Sequence, residues 1–84
     1  MVLPEQPVTL TAEQIAALSR ELGNMRHDIN NHLSLVLAAV ELIRAKPHMT
    51  DRMINTILEQ PPKVTAAMQQ FSRNFESTCG IKRL

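Results

Sequence analysis

Apolar residues recur along the first half of the chain at spacings that alternate between three and four: Ile15, Leu18, Leu22, Met25, Ile29, Val36, Ala39 and Ile43, with His32 as the one polar member. This is a heptad seam, the pattern of a helix that packs along one stripe. Thr11 followed by Gln14 has the spacing of a capping box, so the helix is expected to begin at about residue 12. A residue that precedes proline is pushed out of helical geometry, which ends the helix at about residue 46, before Pro47. Gly23 lies inside the pattern at a cost of about 1 kcal/mol relative to Ala. The phase carries through it, and one helix is predicted.

A second seam runs Ile54, Ile57, Pro61, Val64, Met68, Phe71, Phe75. Thr50 serves as its expected N-cap, with Asp51 in the first turn where a negative charge suits the helix dipole. Pro61 and Pro62 each remove a backbone donor, at about 3 kcal/mol for a mid-helix proline, so one bent helix is predicted over about residues 51–78. Gly80 is the stop signal. Residues 1–10, with Pro4 and Pro7, read as a loose, flexible N-terminal arm, and residues 77–84 as an irregular end, with 80–84 the tail beyond the hairpin domain of residues 11–79.

Two long helices joined by about four residues lie antiparallel. Such a pair alone encloses no core. Leu35, Leu37, Val40 and Leu42 fall off the first seam, so this stretch is apolar nearly all round and wants neighbours on more than one side. The expected fold is therefore all-α: an antiparallel helical hairpin that pairs with a second copy into a homodimeric four-helix bundle.

Composition narrows the function classes. The chain has 84 residues, 44% of them hydrophobic and 20% charged, enough for one small folded domain. It holds no Trp or Tyr, only two Phe and only two Gly, which favours helices over sheets. A net charge of +1 gives little pull toward nucleic acid or an acidic membrane, and two Phe are too few aromatics for a base-stacking surface. Cys79 has no second cysteine to pair with, so a reducing compartment is expected. The longest apolar run, Leu33 to Ile43, is broken by Ser34 and Glu41 and is too short for a bilayer, which needs about 20 residues. No signal peptide is recognisable. The expected location is the cytoplasm.

The chemistry lies between Asn24 and Leu33. If the seam faces inward, His27 points outward, about 160° round from Met25. Asn24, Asn30, Asn31 and Ser34 share its face, and Gly23 leaves room beside it. A solvated surface histidine is the bland alternative. Asn is a poor helix former, however, and three lie close together here with no benefit to stability. Metal binding is disfavoured, because a zincin pair needs two His at i and i+4 whereas His32 stands at i+5 and diverges. His32 reads as a buried polar residue that sets register. His48 belongs to the turn. No histidine lies near Cys79 in sequence to activate it.

The run Arg26-His27-Asp28-x-x-Asn31-x-Leu33 resembles the phosphoacceptor motif of the dimerisation and histidine-phosphotransfer domain of two-component sensor histidine kinases. Most members carry Pro five residues after the His, where this chain has His32. The Pro-less branch, which includes citrate-type and quorum-sensing kinases and the sporulation phosphotransferase, reads His-Asp-x-x-Asn-x-Leu. The resemblance covers about residues 18–76. It implies that His27 is the phosphoacceptor, taking a phosphoryl group from ATP and passing it to an aspartate on a response-regulator receiver domain. Asp28 orients the ring and acts as general base, although neighbours at i and i+1 diverge by about 100° on a helix. Asn31 positions water or substrate during dephosphorylation.

Kinases of this family carry a separate ATP-binding domain after the hairpin, and this chain has no nucleotide-binding motif. It is expected to hold no cofactor of its own, with ATP and Mg²⁺ supplied through a separate catalytic domain, and to be no kinase by itself. An excised kinase domain, a standalone module and a degenerate copy kept for dimerisation all fit. The Met1 start and the irregular end favour a short natural protein. The rival function is a non-catalytic dimerisation hairpin, such as a kinase inhibitor. A monomeric phosphotransfer domain needs four or more helices and fits poorly.

Overall fold

A computed structural model of the chain describes residues 2–82. The order is α1 (Ala12–Ala45), a 3₁₀ turn (Pro47–Met49) and α2 (Thr50–Cys79). The helices pack side by side as an antiparallel hairpin 58 Å long, 28 Å wide and 11 Å thick between Cα atoms. That thickness is a single helical layer. No helix is long and apolar enough to cross a membrane among the described residues.

The start of α1 has the capping box its sequence calls for. Thr11 Oγ1 accepts from the Gln14 amide at 3.0 Å, and Gln14 Oε1 accepts from the Thr11 amide at 2.8 Å. The helix then runs unbroken through Gly23. It closes at Lys46, whose amide donates to the Leu42 carbonyl at 2.7 Å before Pro47 ends it.

Three local features differ from expectation. Thr50 is not the N-cap of α2 but its first helical residue, and Met49 takes the cap position. The Thr50 hydroxyl donates back to the Pro47 carbonyl at 2.6 Å, so it braces the turn rather than the helix start. At the other end Ser77–Cys79 are helical, not irregular. Gly80, at φ 72°, and Ile81, whose amide reaches the Glu76 carbonyl at 2.8 Å, close the helix with a Schellman motif that only a left-handed residue permits. The arm is non-helical, and Val2 forms an antiparallel bridge with Lys82.

The third difference concerns the seam of α2. Ile57, Val64 and Phe71 are half-buried against α1, but Ile54, Met68 and Phe75 remain 42%, 51% and 41% exposed. Residues one position earlier, Met53, Gln60, Ala67 and Asn74, take their places in the hairpin contact. One residue is about 100° of helix, so α2 is turned by roughly half that from the direction its sequence pattern marks. On α1 the seam holds better. Leu18, Met25, Ile29, His32, Val36 and Ile43 are half-buried and Ala39 is buried, while Ile15 and Leu22 are exposed.

Among the described residues only Ala39 and Gln60 are buried, at 2% and 3% exposure. Ala39 lets the backbones approach. Gln60 Oε1 meets His32 Nδ1 at 2.8 Å, and Gln60 Nε2 donates to the Thr56 carbonyl at 2.8 Å. With its amide spent on Thr56, Gln60 can only accept from His32, so His32 carries a proton on Nδ1. The polar seam residue therefore has its partner on the facing helix, one residue before the two prolines. α2 continues through Pro61 and Pro62 because their rings lie on its exposed side while Ile57, Gln60 and Val64 hold the inner side to α1.

Candidate functional site

α1 turns Met25 and Ile29 toward α2, which carries His27 to the opposite side with its side chain 75% exposed. Asn24, Asn30, Asn31 and Ser34 are exposed with it. A Cβ at Gly23 would come no nearer than 3.8 Å to any atom, that atom being the flexible Arg26 Nη2, so the surface beside His27 is open.

Two side chains approach the same ring nitrogen. Asn31 Nδ2 lies 3.5 Å from His27 Nδ1, one turn along the helix, and Asp28 Oδ1 lies 3.9 Å from it. They favour opposite tautomers. A hydrogen bond from the Asn31 amide needs a bare Nδ1, whereas Asp28 can only accept and needs Nδ1–H. Both distances are long, since a good N–H···O bond is about 2.9 Å. Asp28 has leaned across the angular gap between adjacent helical residues, and its side chain is 60% exposed. Nε2 has no hydrogen-bond partner among the described residues. With Asp28 holding Nδ1–H, Nε2 presents a lone pair to an incoming electrophile.

Asp28 also stands on the lip of a shallow groove of about 180 Å³ between the helices, with an apolar floor of Met25, Ala67 and Phe71 and polar sides from Glu21, Asn24, Gln70 and Asn74. The three residues of the sequence motif, His27, Asp28 and Asn31, are thus together on one outer surface. His32 is apart from them, turned inward to Gln60. His48 is exposed in the 3₁₀ turn, and Cys79 is a free, half-buried thiol at the end of α2.

Gln60 is the residue that sequence reasoning missed. Its signal is present but degenerate: Met53, Ile57, Gln60, Val64, Ala67 and Phe71 keep the same alternating spacing as the expected seam, one residue out of step at every other position. Compared with known proteins, the chain matches no family model, no curated protein and no solved structure.

Proposed function

We propose that this chain is a histidine phosphoacceptor and dimerisation module of a two-component or phosphorelay pathway, working in the cytoplasm as a homodimeric four-helix bundle. The observation that carries the reading is the outward His27, with Nδ1 flanked by Asp28 and Asn31 and Nε2 unencumbered. In the forward step the Nε2 lone pair attacks the γ-phosphorus of ATP held by a separate kinase domain. The bond to the bridging oxygen breaks and ADP leaves with its electron pair. Asp28 keeps the Nδ1 proton and offsets the positive charge that develops on the ring. In the onward step a receiver-domain aspartate oxygen attacks phosphorus, the N–P bond breaks, and the electron pair returns to Nε2. Asn31, one turn from His27, positions water when the phosphoryl group is instead hydrolysed.

The test is incubation with a phosphorylated response regulator, or with a matching kinase ATP-binding domain and labelled ATP. Wild type gains an acid-labile label that His27→Ala lacks. If no label appears on the wild-type chain with either donor, the phosphoacceptor reading fails and a non-catalytic dimerisation hairpin stands in its place.

A further inference from the structure

We infer that a second copy of the chain docks on one particular face of the hairpin, the side on which Leu33, Leu37 and Val40 of α1 lie beside Ile54, Leu58 and Pro61 of α2. This deepens the dimer part of the function proposed above and rests on it.

The rotation of α2 supplies the first argument. Its exposed apolar residues Ile54, Pro61, Met68 and Phe75 each follow a hairpin-contact residue by one position, so they form a second stripe about 100° round from the first. The two neighbours of a helix in a four-helix bundle lie about 90° apart, with the bundle axis between them. The seam marked by the sequence bisects the two stripes of α2. It points at an axis that a lone hairpin does not possess.

α1 repeats the arrangement. Leu33, Leu37 and Val40 each follow by one position a residue packed toward α2, as Arg26 and Arg44 do nearer its ends. The same rotational sense on two antiparallel helices leads to the same side of the pair, so both stripes share one face. The groove lined by His32, Leu33, Val36, Gln60, Pro61 and Val64, about 260 Å³, opens at the middle of it.

On α2, charge distinguishes this face from the other. The second stripe of α2, from Ile54 through Leu58, Thr65 and Met68 to Phe75, carries no charged residue. The opposite face displays Glu21 and Asp28 of α1, and its α2 side carries Arg52, Glu59 and Lys63.

Area identifies the occupant as a whole hairpin. The chain exposes 6576 Å² for 9.4 kDa, against about 5,000 Å² for a compact monomer of that mass. Two copies closing into a compact particle remove up to about 4,800 Å² in total, within the class of obligate homodimers at about 2,000–5,000 Å². His27, on the far side of α1 from the seam, stays open in this arrangement.

The test places single cysteines in a Cys79→Ser chain, at Leu58 (65% exposed) on the proposed face and at Leu35 (47% exposed) on the other. Leu→Cys is mild enough to leave the hairpin folded. Sedimentation measures association, and thiol alkylation rates are followed as protein concentration rises. Leu58→Cys is expected to become at least tenfold slower to label as the dimer forms, with Leu35→Cys unchanged. As a second readout, Leu58→Arg should weaken the dimer at least 100-fold and Leu35→Arg leave it intact. Protection at position 35 with free labelling at 58 overturns the face while leaving the dimer standing. A wild-type chain that sediments as a monomer at every concentration overturns the dimer itself.

Discussion

Replacing Gln60 by Ala tests how much its buried polar contacts contribute. Gln60 is 3% exposed and makes two hydrogen bonds of 2.8 Å, one to His32 and one to the Thr56 carbonyl. A buried hydrogen bond contributes about 1 kcal/mol net. The Thr56 carbonyl remains within reach of its helical partner, the Gln60 amide, so the larger loss falls on His32 Nδ1–H, left facing an apolar wall. An unsatisfied donor costs about 1–3 kcal/mol, with the lower half of that range fitting a half-buried histidine. Lost methylene burial adds about 0.8 kcal/mol. The sum is about 2–3 kcal/mol, which for a domain of this size lowers Tm by roughly 10–20 °C. The partner experiment removes both groups. In His32→Leu/Gln60→Leu no donor is stranded, and the double variant should lie within about 1 kcal/mol of wild type or be more stable. Far-UV circular dichroism on thermal and urea unfolding measures both, at one fixed protein concentration because any self-association makes Tm depend on it. A cost below about 0.5 kcal/mol for Gln60→Ala, or a double variant as unstable as the summed single variants, refutes the reasoning.

Other substitutions probe the ends and the site. Thr11→Ala removes the capping box of α1 and should cost about 1 kcal/mol in the same unfolding assay. Gly80→Ala meets no atom within 4 Å but forces a Cβ into φ 72°, so a loss of about 1 kcal/mol there isolates backbone strain from packing. Gly23→Ala should stabilise α1 by about 0.5–1 kcal/mol, since the added Cβ meets only the end of Arg26. If the open surface beside His27 receives a partner, the same variant loses phosphotransfer while gaining stability. Asp28→Asn leaves helix geometry intact but no longer favours Nδ1–H, and should slow labelling of His27 about 100-fold. Unchanged labelling kinetics would remove Asp28 from the mechanism.

Much of the fold follows from local chemistry. The capping box at Thr11 and Gln14, the stop before Pro47 and the left-handed close at Gly80 each depend on residues within a few positions of one another. They are legible for that reason. The outward placement of His27 needs only the period of one helix, and the α1 seam supplies it. Thr50 shows the limit even for short-range signals: its hydroxyl could accept from a first-turn amide as an N-cap or donate to the Pro47 carbonyl, and the 3₁₀ turn decided for the second. The rotation of α2 lies beyond local reading altogether. Two overlapping sets of positions have the same heptad spacing, and both are apolar enough to pack. Only contact with α1, where Ala39 permits close approach and His32 demands an acceptor, selects Gln60 over Pro61 for the inner face. The sequence by itself determines two helices, their antiparallel pairing and the side on which His27 stands. Tertiary packing decides which half of the α2 stripe is spent within the hairpin and which half is left outward, because a single helix carries no information about the rotation of its neighbour.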